Sequence, residues 1–174
     1  MLRSCGLSIL SALIALLPAA ALAQAQAQPA PQPLGQFSDW EAFAYESEQG
    51  RVCYVLSKPK QLLPPNRDHG DVYFFITSRP AEGVRNEASV IVGYTFDENS
   101  TVTVDVDGAR FNMFSKADGA WVESPADEAQ LLEAMRAGRQ MSVSGRSSRG
   151  TDTTYNFSLS GVTASTNRIL SECS

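Results

Sequence analysis

From Trp40 to Leu159 the chain keeps returning to one pattern: four to six residues in which Val, Ile, Phe, Tyr or Thr alternate with polar side chains, followed by a few turn formers. Successive strand side chains point to opposite faces, so this alternation is that of a half-buried β-strand. It occurs at Trp40–Tyr45, Val52–Leu56, Val72–Thr77, Ser89–Tyr94, Thr101–Val106, Arg110–Phe114, Met141–Ser144 and Tyr155–Leu159. Short strands spaced by turns predict an all-β fold, an antiparallel sandwich or barrel, rather than alternating β/α units. The clearest unit is "TVTVDVDGARFNMF": Val102, Val104 and Val106 share a face, Asp107-Gly108 supplies the positive φ angles of a two-residue turn, and Phe111 and Met113 return on one face. A second turn is expected at Asp118-Gly119, ahead of Trp121.

The period changes once in mid-chain, in "SPADEAQLLEAMRAG". Ser124 is placed to cap a helix, Pro125 suits its first position, and Asp127 and Glu128 complement the positive end of the helix dipole. Leu131, Leu132 and Met135 form a narrow apolar stripe for packing on the sheet, and Gly138 suits a left-handed stop. A short second helix is expected after Gly161, carrying Val162, Ile169, Leu170 and Cys173.

Before the first strand the composition differs. "MLRSCGLSILSALIALLPAAALA" has one positive charge at Arg3, an apolar run from Leu7 to Leu17 and small residues at Ala21 and Ala23. That is the pattern of a secretory signal peptide over residues 1–23, and the run is too short to span a bilayer. Residues 24–36 are rich in Pro, Gln and Ala and read as a flexible spacer. The folded domain is then expected over residues 37–174, a length that suits one core. No transmembrane segment is expected in the processed chain. Processing removes Arg3 and leaves 13 basic against 19 acidic side chains, a net charge of −6. With no basic cluster to offset it, that charge repels phosphate backbones, so nucleic acid is excluded as a partner.

Processing leaves Cys53 and Cys173. In an oxidising compartment an even pair is expected to form a disulfide, here tying the tail to an early strand. The alternative, a reactive thiol, requires a thiolate-stabilising neighbour that neither cysteine has in sequence. Other chemistry is sparse. His69 is the only histidine and lies in the loop "PPNRDHGD", where Asp68, His69 and Asp71 point different ways and a solvated ring is expected. One imidazole and two paired sulfurs cannot build a zinc site. Asp97, Glu98 and Asn99, like Asp105 and Asp107, lack the spacing of a calcium loop. No phosphate-cradling Gly-rich motif is present, and no cofactor is expected.

What remains is "RPAEGVRNEAS", a charged interruption between the apolar runs "VYFFIT" and "VIVGY". Arg79 and Arg85 can each meet Glu82 or Glu87, so a self-bonded hairpin connection is expected, and such a rigid loop is well suited to recognition. Arg79, Glu82, Arg85, Asn86 and Glu87 are therefore the candidate binding loop. "SSRGTDT", with Arg146, Arg149 and Thr151, is the second.

Taken together, "FSDWEAF", "CYVLSKP", "DVYFFITSRPAEGVRNEASVIVGYTF", "FNMFSKADGAW", "LLEAMRAGRQMSVSGRSSRGTDT", "YNFSLSG" and the terminal "EC" resemble the invasion-associated locus B (IalB) family of alphaproteobacterial envelope proteins. The resemblance covers nearly the whole processed chain. It implies an exported protein, periplasmic, outer-membrane associated or secreted, of a family whose namesake helps a pathogen enter host cells. It implies no catalytic residues, in keeping with the residue inventory. The expectation is a monomeric, non-enzymatic module that binds a protein or envelope surface. The rivals are an enzyme on envelope polymers, using Glu82, Glu87 or Asp71 in a cleft, and a chaperone or inhibitor working through an open sheet edge.

Overall fold

The computed structural model describes residues 30–174. The signal peptide expected over residues 1–23 and the first part of the expected spacer lie outside the described residues. The strands are β1 (Gln32–Phe37), β2 (Trp40–Ser47), β3 (Gly50–Ser57), β4 (Gln61–Leu63), β5 (Tyr73–Arg79), β6 (Val84–Ile91), β7 (Val102–Val106), β8 (Ala109–Lys116), β9 (Gly119–Val122), β10 (Gln140–Arg146) and β11 (Asp152–Ser158). Helix α1 spans Pro125–Ala137 and α2 spans Val162–Glu172. All strands join one antiparallel sheet in the order β1-β2-β3-β5-β6-β9-β8-β7-β10-β11-β4.

The all-β expectation holds, and the Asp107-Gly108 hairpin forms as the sequence indicates, with φ of 46° and 100° at its two central residues. Three strands escaped the pattern. β4 has three residues and β9 four, too few for alternation to register. β1 carries Pro33 and Gly35, both depleted in strands, yet it lies at the sheet edge, where Pro costs no ladder bond, and a bulge between Pro33 and Gly35 leaves Leu34 as the extra residue while Gly35 pairs with Ala42. The spacer expected over residues 24–36 is corrected at its far end, because Gln32–Phe37 pairs with β2 and the folded unit starts before Phe37. The strand expected to begin at Ser89 begins at Val84.

The sheet curls so that one face is inside throughout. In register, Ala44, Cys53 and Ser78 follow one another across β2, β3 and β5, as do Val55, Ile76 and Ala88 across β3, β5 and β6. Each of these side chains is buried. Phe74 on β5 meets Phe157 on β11 at 5.8 Å across the interior, and Trp40 meets Phe74 at 6.4 Å. Trp40 also donates its indole N–H to Ser158 O at 3.0 Å, closing the β1–β2 corner onto the far end of β11.

Both helices add to the same core. Ser124 Oγ accepts the Asp127 N–H, and Leu131, Leu132 and Met135 are buried, as the stripe requires. Gly138 is a correction: its φ of −84° is not left-handed. Glycine is needed there because a Cβ would lie 2.7 Å from Val106 Cγ1. In α2, Ser165 and Thr166 are buried and return their hydroxyls to Val162 O at 3.0 and 2.8 Å, so neither is left unpaired. The helix ends at Cys173, whose sulfur is bonded to Cys53 with a Cα–Cα distance of 6.0 Å. Arg51 reinforces the junction through Glu46 and Glu172.

Candidate functional site

The charged interruption is mostly strand. β5 runs through Arg79, a 3-10 turn occupies Pro80–Glu82, Gly83 takes φ 72°, and β6 starts at once. Thr77 pairs with Glu87 and Arg79 with Val84, so Arg85 and Asn86 together oppose Ser78 as a β-bulge. Asn86 adopts φ 59° within it and is not presented outward: its N–H donates to Ser78 Oγ at 3.3 Å and its Oδ1 is buried.

The bulge brings Glu87 opposite the Arg79 guanidinium. Arg79 Nη1 and Nη2 donate to the two Glu87 oxygens at 3.1 and 2.9 Å, and Nε donates to Glu82 at 3.0 Å. This fork holds the Arg79 proton more firmly than usual. Arg79 thus takes both glutamates. Arg85, expected to share them, is exposed and makes no ion pair among the described residues.

Arg85 instead lines a groove of about 690 Å³ with Glu87, Phe114, Lys116, Trp121 and Glu128. Phe114 is the one large hydrophobic side chain among the described residues that stands exposed, at 50 %. It pairs with Trp121 in register and stacks on it at 5.8 Å. Register carries this aromatic surface further across the outer face, through Ser89 to Phe75, which meets Tyr54 at 6.0 Å; Tyr54 in turn stacks on Phe43 at 5.3 Å. Glu128, in the first turn of α1, comes beside Glu87. Burial first, and the Glu87 charge second, push its carboxyl up to about 7, with Arg79 acting in the opposite direction. The folded state therefore keeps this proton at pH values where the unfolded chain, near 4.5, has lost it. Its contribution favours folding at low pH and fades as pH rises toward 7.

The other candidates are placed as follows. Arg146 is engaged by Asp152 at 2.8 Å and Asp97 at 4.0 Å, whereas Arg149 and Thr151 line a separate polar cleft. Asp105 and Asp107 accept turn N–H groups from Gly108 and Arg139 at 2.8 Å each. No cluster of three metal-ligating side chains occurs among the described residues. Asp71 is exposed and does not line the groove. His69 is a correction: it is 6 % exposed and hydrogen-bonded on both ring nitrogens, not solvated. Phe114, Trp121 and Glu128 were the residues sequence reasoning passed over. The available signal was an apolar Phe114 on the polar-facing side of the strand that buries Met113.

The sequence model of the family described as Invasion associated locus B (IalB) protein matches residues 40–170. In three dimensions the chain is similar to the crystal structure of invasion associated protein B from Bartonella henselae, with a TM-score of 0.58 and 13 % identity over 83 % of this chain and 98 % of that one. At that identity the likeness is one of fold. No curated protein sequence matches the chain. No helix among the described residues is long and apolar enough to cross a membrane.

Proposed function

The chain belongs to the invasion associated locus B family, and from that premise we propose that it is an exported, non-enzymatic protein of the bacterial cell envelope that works by contact, with the Phe114–Trp121 groove as its contact surface. The observation that carries this reading is the half-exposed Phe114 ring, stacked on Trp121 inside a groove. An exposed ring on a rigid sheet is an anchor for an apolar side chain of a partner. Glu123 and Glu128 border the groove on the α1 side, opposite Arg85 and Lys116 on the strands, so a cation set beside α1 is favoured and the partner is a protein segment pairing an apolar with a cationic side chain. Within the groove both oxygens of Glu87 are held by Arg79, which leaves Glu128 without Glu87 as a free partner for acid–base work and supports binding over catalysis.

Titrating the protein with a short peptide of alternating Leu and Lys, followed by amide NMR, tests this. The resonances of β6, β8 and β9 should move, and affinity should rise several-fold from pH 6 to pH 8 as Glu128 ionises. Phe114→Ala should weaken binding at least about tenfold while leaving the melting temperature within about 2 °C. An acidic peptide binding equally well, or shifts confined to other strands, would refute the proposal.

A further inference from the structure

A second, polar cleft of about 560 Å³ opens where the segment carrying Arg67–Gly70 meets the chain after β6 and the β10–β11 turn. Arg67 and Arg149 line it, both exposed, and neither pairs with a carboxylate among the described residues. That sets them apart from neighbouring Arg146, which Asp97 and Asp152 neutralise. Asp68 also borders the cleft, but its Oδ1 closes its own turn by accepting the Gly70 N–H at 3.0 Å. In a protein whose net charge is −5, the cleft concentrates two uncommitted guanidinium groups.

The cleft wall is hydroxyl-rich and built from behind. Tyr94, Thr151 and Thr153 line it, with the Tyr94 hydroxyl 2.6 Å from Thr153 Oγ1 and Thr153 only 5 % exposed. Beneath lies His69. Its Nε2 is 3.0 Å from Pro64 O, a pure acceptor, so Nε2 carries the hydrogen and Nδ1 accepts the O–H of buried Tyr155 at 2.9 Å. The backbone is equally fixed: Gly93 N–H donates to His69 O at 3.0 Å, and a Cβ on Gly93 would stand 2.6 Å from Gly70 Cα. Such a wall needs no reordering to receive a ligand.

We infer that this cleft binds a small acidic saccharide, its carboxylate or phosphate oxygens held by Arg67 and Arg149 and its ring hydroxyls by Thr95, Ser148 and Thr151, with the Tyr94–Thr153 pair fixed behind them by the bond from Thr153 Oγ1 to Gly145 O at 3.2 Å. Guanidinium forks match both oxyanions, and the volume suits one or two sugar rings. The inference is independent of the Phe114 groove.

Calorimetric titration of the purified protein at low ionic strength with glucuronate, glucose 1-phosphate, glucose and inorganic phosphate tests it. Saturable binding of at least one acidic sugar is expected, with glucose and inorganic phosphate each at least about tenfold weaker. Arg67→Ala with Arg149→Ala should remove at least about tenfold of that affinity without moving the melting temperature, since both side chains are exposed. Four results would each overturn the inference: no saturable binding of either acidic sugar to about 20 mM, glucose as tight as the acidic sugar that binds, inorganic phosphate as tight as that sugar, or a double variant that binds like the parent. Glucuronate binding without glucose 1-phosphate binding, or the reverse, identifies which oxyanion the forks select.

Discussion

Replacing Cys53 and Cys173 together by serine should lower the melting temperature by roughly 10–20 °C, the equivalent of about 4–5 kcal/mol. The bond closes a loop with a sequence separation of 120 residues, and cross-links over long loops restrict the unfolded chain most. Both sulfurs belong to the core, between β3 and the end of α2, so the substitution also leaves two hydroxyls where no water reaches. Thermal melts of the variant, and of the parent unfolded and refolded under reductant, measure the effect. A change within about 3 °C would mean that Val162, Ile169 and the Arg51–Glu172 contact hold the tail unaided.

Gly161→Ala should cost at least about 3 kcal/mol, by a different route. Gly161 takes φ 97° as the residue before α2, and a Cβ there would lie 1.8 Å from Phe37 O, a backbone atom with little freedom to move. The adjacent bond from Asp39 N–H to Ser160 O, at 3.1 Å, fixes the same corner. An alanine must therefore both hold a left-handed backbone and push α2 away from the β1–β2 corner. Gly83→Ala isolates the first part: φ is 72° and nothing lies within 4 Å of the added carbon, so about 1 kcal/mol is expected. Equal losses from the two substitutions, read from denaturant unfolding, would show that the close approach at Gly161 carries no weight.

These two sites mark the boundary of what sequence reveals here. The Asp107-Gly108 hairpin and the Ser124–Pro125 helix start are written locally, because turn and cap chemistry depend on residues within a few positions. The Cys53–Cys173 link was legible by elimination, being the one even pair left once Cys5 is assigned to the expected signal peptide. Gly161 looks like any helix-flanking glycine until β1 is found, and β1 is hidden by Pro33 and Gly35. The burial of His69 likewise depends on Tyr155, 86 residues away.

The binding surface shows the same division. Arg79, Glu82 and Glu87 are close in sequence, and their pairing could be anticipated from charge alone. The bulge that separates Arg85 from that cluster is a matter of register, since one added residue redirects the side chain into the groove. Glu128 reads in sequence as a residue complementing a helix dipole. Only the packing of α1 against β6 brings it beside Glu87 and raises its proton affinity.

The proposal that contact through the groove is this protein's work is tested most directly by site-specific photo-crosslinking in the native cell envelope. A photoreactive phenylalanine analogue at position 114 should give a discrete adduct that the Leu–Lys peptide competes away, and the same analogue at exposed Thr163 should give none. No adduct from position 114, or the same adduct from both positions, would contradict it.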